Sequence, residues 1–155
     1  MRRIVISDVD GCLTDGKFVY TAEGKVSKTF GPHDNDGVKQ LKKLGYDVIF
    51  ISADKRGFPI TQKRITDMKC ELYQVSEATR AEWVKNKIAE YDWSAFFGDG
   101  ISDIVAGKTV DFFACPANAR PEVKKEAHFI TDSKGSEGAF LDFAIEIMRK
   151  NNDDN

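Results

Sequence analysis

The chain has 155 residues, 41% of them apolar and 31% charged, and its 23 basic and 25 acidic side chains give a formal net charge of −2. That length fits one domain of ~100–200 residues with a full core, and the charge balance argues against a strongly basic face for nucleic acid. No apolar run approaches the ~20 residues that span a bilayer, and Met1-Arg2-Arg3 leads straight into Ile4-Val5-Ile6 without a signal-peptide pattern, so neither a nucleic-acid nor a membrane partner is expected.

Ile4-Val5-Ile6-Ser7 is short, β-branched and almost continuously apolar, the pattern of a strand buried on both faces. Lys17 to Tyr20 and Lys25 to Phe30 flank Glu23-Gly24 as a β-hairpin. Val38, Leu41 and Leu44 then recur at helical spacing, after a cap at Asn35 or Asp36 and before a stop at Gly45. Val48 to Ser52 reads as a second buried strand. A helix opened by Ser76-Glu77 carries Val84, Ile88 and Tyr91 and runs to about Tyr91. Ala95 to Phe97 and Phe112 to Ala114 are further buried strands. Pro121 suits the first position of a short helix through Val123 and Ala127. His128 opens a short edge strand, and Phe140, Phe143, Ala144 and Ile147 mark the last helix. Strands alternating with helices imply right-handed crossovers, hence a doubly wound, Rossmann-like α/β fold with a mostly parallel sheet and helices on both faces. One domain over residues 1–150 is expected, followed by a frayed polar tail at 151–155. Cys12, Cys70 and Cys115 are odd in number and lack metal-site spacing, which reads as reduced thiols in the cytoplasm.

In an open parallel sheet, ligands bind beyond the carboxyl ends of the strands. The residues there are Asp8, Asp10, Gly11, Thr14 and Asp15 after the first strand, and Ser52, Ala53 and Asp54 after the second. Gly98, Asp99, Gly100 and Asp103 follow the third. Any single one of these aspartates is explained well enough as a turn former or helix cap. Together they are carboxylates from separate segments converging on one edge, where they repel unless a cation sits among them. Oxygen-only donors favour a hard cation, Mg²⁺ in particular. The Asp8-Val-Asp10 spacing at a strand end suits one nucleophile and one proton carrier.

Asp8-Val-Asp10-Gly-Cys-Leu-Thr14-Asp-Gly16 resembles the first signature of the haloacid dehalogenase-like hydrolases, DxDGxLTDG, and Gly98-Asp99-Gly-Ile-Ser-Asp103 resembles their fourth, GDGxxD. Ser52 fits the second, a lone Ser or Thr ending a strand. The match is nearest to small capless phosphatases that resemble 3-deoxy-D-manno-octulosonate 8-phosphate phosphatase and its nonulosonate 9-phosphate relatives. Those share the hairpin, the Lys28-Thr-Phe30 segment leading to Asp34-x-Asp36-Gly37, and a glycine stretch, here Gly135-Ser-Glu-Gly138.

The resemblance implies a Mg²⁺-dependent phosphatase of a phosphorylated sugar acid. Asp8 would attack phosphorus to form an aspartyl-phosphate. Asp10 would protonate the leaving alkoxide and later activate water, and Ser52 would bond a phosphoryl oxygen. Mg²⁺ would be held by Asp8, Asp99 and the Asp10 backbone carbonyl, with Asp103 in support. Gly11 and Thr14 belong to the phosphate loop, and Asp54 and Lys55 lie where relatives select substrate. The family's third motif needs a cation, usually Lys. Arg80, Lys85 and Lys87 are candidates, and Arg80 is preferred for its fork of donors. The segment Ala53-Asp54-Lys55-Arg56-Gly57 is longer than the Gly-Arg or Gly-Glu of the relatives, and its acidic Asp54 leans away from the octulosonate pattern. The resemblance also implies a cytoplasmic homo-oligomer, a tetramer, with exposed Phe18, Tyr20 and Phe30 packed on a neighbouring copy. A receiver-like phosphoacceptor domain and a catalytically silent scaffold stay open as alternatives.

Overall fold

The computed structural model describes residues 1–153; the expected fraying of Asp154 and Asn155 lies outside them. In chain order the elements are β1 (Arg3–Asp8), β2 (Thr14–Thr21), β3 (Gly24–Phe30), α1 (Asp34–Lys43), β4 (Tyr46–Ser52), α2 (Phe58–Asp67) and β5 (Glu71–Gln74). They continue with α3 (Arg80–Ile88), β6 (Trp93–Phe97), α4 (Ser102–Gly107), β7 (Phe112–Cys115), α5 (Pro121–Glu126), β8 (Phe129–Ile130) and α6 (Ala139–Lys150).

The main sheet has the order β5-β4-β1-β6-β7-β8, and every neighbouring pair in it is parallel. Alternation within its strands builds two apolar layers. Val5, Val48, Phe50, Ala95 and Phe97 pack against Val38 and Leu41 of α1, Ile65 of α2 and Phe140, Phe143 and Ile147 of α6. Ile4, Ile6, Ile49, Ile51 and Phe96 pack on the opposite side against Val84 of α3, Ala106 of α4 and Val123 of α5. Stacked Phe97 and Phe143 rings lie with centroids 4.6 Å apart in the first layer. This is the doubly wound, Rossmann-like arrangement expected, with β1 at its centre.

Several boundaries differ from the sequence reading. α1 begins at Asp34 with His33 in the capping position, so the predicted caps Asn35 and Asp36 lie inside its first turn, where their charge or polarity meets the free amides. Gly45 follows the helix in the left-handed region, φ 91°, as a helix stop requires. α3 is shorter at both ends than the expected Ser76 to Tyr91 helix. α2 and β5 were not anticipated: α2 buries only Thr61 and Ile65, and β5 is a polar edge strand. Asn151 and Asp153 are tied down, since Asn151 Nδ2 and Asp153 both bond the Tyr46 hydroxyl and Asp153 pairs with Arg3 at 3.0 Å.

β2 and β3 form a separate antiparallel hairpin between β1 and α1. Its register pairs Tyr20 with Lys25 and Val19 with Ser27, which leaves Val26 as the extra residue of a bulge. The bulge breaks the two-residue alternation, so Lys25 and Lys28, three positions apart, both reach the same carboxylate, Asp54 Oδ2, at 2.8 Å.

Candidate active site

The loops after β1, β4 and β6 meet at the carboxyl edge of the sheet, around a cavity of about 360 Å³. Asp8, Asp10, Lys25, Asp54, Arg80 and Asp99 are among its lining residues. A larger groove of about 480 Å³ lies at the opposite edge, beside Tyr46, Cys70 and Tyr91, and contains none of the aspartate signatures.

Asp8 ends β1 and is 7% exposed. Burial raises its carboxyl pKa well above the ordinary range. Asp103, Asp99 and Asp10 add to the rise, and Arg80 opposes it. The chain then turns tightly, with Cys12 N–H and Leu13 N–H donating to the Val9 carbonyl at 3.1 and 2.8 Å. Thr14 Oγ1 accepts from Gly11 N–H at 3.0 Å and from Gly16 N–H at 3.1 Å. Gly11 and Thr14 are thus committed to each other and shape the loop. Gly11 sits at φ 86°, and a Cβ there would lie 1.8 Å from Asp99 Oδ2. Its lack of a side chain is what lets Asp99 approach the loop.

Asp10 is held on both oxygens: Lys28 Nζ lies 2.8 Å from Oδ1, and Ser52 Oγ donates to Oδ2 at 3.3 Å. Ser52, the last residue of β4, also accepts from Asp54 N–H at 3.2 Å. Asp54 faces the cavity between Lys25 and Lys28. Burial raises its pKa, but the two ammonium groups and the Gly57 amide outweigh that and hold the carboxyl well below the ordinary range. Lys55 is exposed and does not line the cavity.

Asp99 follows β6 and is pushed up to about 7, chiefly by burial and by Asp103. Asp103, fully buried at the start of α4, accepts at Oδ2 from the Asp99 and Gly100 amides at 2.9 and 3.0 Å. Its Oδ1 accepts from Arg80 Nη1 at 2.7 Å. Arg80 Nη1 also lies 3.7 Å from Asp8 Oδ2, and its Nε–H is buried without a partner. Burial works against the charge of Arg80, and the Asp8 and Asp103 carboxylates more than restore it. Lys85 is exposed, and Lys87 lies over the Tyr73 ring at the far groove. Of the three cations weighed for the third motif, Arg80 is the one the fold brings to Asp8.

Two groups at the site, Lys25 and Asn118, escaped the sequence reading, and Lys28 entered it only within the Lys28-Thr-Phe30 segment. Lys25 and Lys28 arrive through the bulged hairpin. Asn118, beyond β7, donates from Nδ2 to the Gly11 carbonyl at 2.9 Å and accepts at Oδ1 from Gly135 N–H at 2.7 Å. It ties the glycine segment to the loop after Asp8. Its signal is its place beyond the carboxyl end of the Phe112–Cys115 strand, the same edge that carries Asp8, Ser52 and Asp99.

A divalent cation fits the donor set. Among the described residues, Asp8, Cys12 and Asp99 offer ligand atoms within 4.8 Å of one another. Burial, with Asp99 and Asp8 nearby, pushes the Cys12 thiol well up, and as a soft donor it suits a hard cation less than the two carboxylates do. Burial, with the neighbouring carboxylates adding to it, raises the pKa values of Asp8 and Asp99, and a hard cation between the two offsets both effects. Asp103 has both oxygens committed to the loop and Arg80, and so supports Asp99.

No protein-family model matches the chain. It is 28% identical over 151 residues to the 3-deoxy-D-manno-octulosonate 8-phosphate phosphatase KdsC of Haemophilus influenzae, covering 95% of this chain and 83% of that protein. A cobalt-bound octulosonate phosphatase structure from the same organism superimposes with a TM-score of 0.87 at 27% identity, covering 96% of this chain and 88% of that one. A probable YrbI family phosphatase from Pseudomonas syringae gives a TM-score of 0.86 at 30% identity, covering 96% and 85%. With its two aspartate signatures meeting at one sheet edge and these relatives matched along nearly its whole length, the chain belongs to the haloacid dehalogenase-like hydrolases and is a phosphatase of their KdsC type.

Proposed function

We propose that this phosphatase is Mg²⁺-dependent and hydrolyses a phosphorylated sugar acid of the 3-deoxy-octulosonate 8-phosphate or nonulosonate 9-phosphate class, through an aspartyl-phosphate on Asp8. The observation that carries the reading is the meeting of Asp8, Asp10, Arg80 and Asp99 around one small cavity, with Ser52 buried directly behind Asp10. Asp8 attacks phosphorus while Asp10 delivers a proton to the departing alkoxide; Asp10 then takes a proton from the water that cleaves the acyl phosphate. Arg80, whose Nη1 lies 3.7 Å from Asp8 Oδ2 at the cavity wall, supplies a donor for the phosphoryl oxygens, and the Ser52 hydroxyl, which donates to Asp10 in the free protein, turns to them when substrate binds. Mg²⁺ would be held by Asp8, Asp99 and the Asp10 backbone carbonyl, and supplies charge neutralisation between the nucleophile and the phosphoryl group.

The cavity, about 360 Å³, suits a small molecule, at the lower end of the ~300–1,000 Å³ typical of ligand sites. Lys25 on its wall supports an acidic substrate. The cobalt-bound relative supports a divalent metal at this site. Phe18 and Tyr20, with Val19 and Val26, are each about half exposed on the hairpin and support assembly of copies of this chain, a tetramer in our reading, whereas Phe30, expected beside them, packs against the core of its own chain. The three free thiols fit a cytoplasmic setting.

The test is turnover of an aryl phosphate and a sugar-phosphate panel, with and without Mg²⁺, for wild type, Asp8→Asn and Asp10→Asn. Mg²⁺-dependent release of phosphate, abolished by Asp8→Asn, is the expected result. No turnover of any substrate, or stoichiometric phosphorylation without release, refutes the hydrolase mechanism. Equal rates on simple hexose phosphates refute the sugar-acid assignment.

A further inference from the structure

Lys28 is the only member of the site network that comes from the middle of a solvent-facing hairpin strand and yet has a side chain just 1% exposed. Its ammonium group sits among three oxygens: Asp10 Oδ1 at 2.8 Å, Asp54 Oδ2 at 2.8 Å and Thr61 Oγ1 at 2.9 Å. Three acceptors match the three donors of an ammonium group, so its position is fully specified. Asp54 is anchored in turn, by Lys25 at 2.8 Å and by the Gly57 amide at 3.1 Å, and Thr61 lies in the second turn of α2. Asp10 is thereby connected to the hairpin on one side and to α2 on the other. An ammonium group buried this deeply is costly unless its partners are fixed, and two carboxylates and a hydroxyl fix it here.

We propose that Lys28 is a positioning residue for the proton carrier Asp10, and that the β2–β3 hairpin is therefore part of the catalytic apparatus of its own chain. The proposal rests on the reading of Asp10 as the group that protonates the leaving alkoxide. The ammonium group on Oδ1 and the Ser52 hydroxyl on Oδ2 together fix the orientation of the Asp10 carboxyl at the cavity. Without Lys28 the side chain can rotate away from that orientation. Lys28 touches neither the substrate nor the phosphoryl oxygens in this scheme; it acts through Asp10.

The leaving group distinguishes this role from a general structural one. An alkoxide departs only with a proton, whereas 4-nitrophenolate is stable without one. The parameter kcat/KM covers the steps up to release of the alcohol, so it isolates proton delivery from later hydrolysis of the aspartyl-phosphate. Lys28→Met, close in length and without charge, should lower kcat/KM for the best alkyl sugar phosphate about 10²-fold, the usual worth of a correctly placed proton donor. For 4-nitrophenyl phosphate the loss should stay within about threefold, since little proton transfer is needed there. Lys28→Gln should give an intermediate loss, again confined to the alkyl substrate, and carries the test if Lys28→Met does not fold. Equal losses on both substrates, or no loss on either, would overturn the proposal. Asp10→Asn is measured alongside. If it stays active on the alkyl substrate, the reading of Asp10 fails; if it is inactive while both Lys28 variants match wild type, the role of Lys28 alone fails.

Discussion

Arg80→Met removes the one guanidinium that separates Asp8 from Asp103. In the native protein Arg80 Nη1 lies 2.7 Å from Asp103 Oδ1, 3.3 Å from Ser102 Oγ and 3.7 Å from Asp8 Oδ2, with 4% of the side chain exposed. Methionine fills much of the volume but leaves buried carboxylates without their cation, a change that typically costs 3–5 kcal/mol, so about 4 kcal/mol of folding stability is at stake. For a chain of this size that corresponds to a fall in melting temperature of about 10 °C. Loss of a preorganised donor to the phosphoryl group separately lowers kcat about 10²–10³-fold. Arg80→Lys keeps the charge without the fork and should fall between wild type and Arg80→Met in both measurements. Urea unfolding gives the stability term, and initial rates at saturating Mg²⁺, measured well below the melting temperature of the variant, give the catalytic one. A variant within about 1 kcal/mol of wild-type stability and within threefold of its rate would refute both the burial argument and the assignment of Arg80 to the third motif.

Gly11→Ala places a methyl group 1.8 Å from the present position of Asp99 Oδ2 at a φ of 86°. The backbone term alone costs ~1–2 kcal/mol, and the displaced carboxylate should raise the Mg²⁺ concentration for half-maximal activity and lower kcat about 10²-fold; unchanged Mg²⁺ dependence would refute the packing argument. Asp34, 2% exposed and with Oδ1 lacking a partner, is pushed up to about 7 by burial, against the opposing Phe140 amide and Arg64. Its folded-state pKa lies above the unfolded one, so its protonated form stabilises the fold fully below about pH 4, and that contribution disappears as pH rises through 7, with a ceiling of ~4 kcal/mol. Asp34→Asn should therefore gain stability over wild type at pH 8 relative to pH 5 in paired urea titrations, and a pH-independent difference would refute this.

The sheet was legible because its strands are buried on both faces and read as unbroken apolar runs, Ile4 to Ser7 and Val48 to Ser52 above all. The same rule located Asp8, Ser52 and Asp99, because strand ends in a parallel sheet share an edge. Edge elements escaped: β5, Glu-Leu-Tyr-Gln, has no full apolar face, and α2 shows the core only Thr61 and Ile65. The shared contact of Lys25 and Lys28 was hidden for another reason. Regular alternation assigns residues three apart to opposite faces, and only the bulge at Val26, set by pairing with β2, brings both to Asp54. The role of Thr14 was hidden similarly, since its hydroxyl is spent on two amides of its own turn.

The central position of β1 governs how the protein reaches its working state. Arg3 of β1 is registered against Tyr46 of β4 on one side and Trp93 of β6 on the other. The strand carrying Asp8 therefore waits for partners that come much later in the chain, and both long segments must close before both of its edges are paired. Topologies dominated by such distant parallel contacts fold slowly, and until closure Ile4, Val5 and Ile6 remain unprotected. No species without β6 paired to β1 can hold Asp8 against Asp99, because β6 itself delivers Asp99. Phosphatase activity in this chain is consequently a kinetic marker of the docking of β6, and refolding followed by turnover will lag behind refolding followed by helix content.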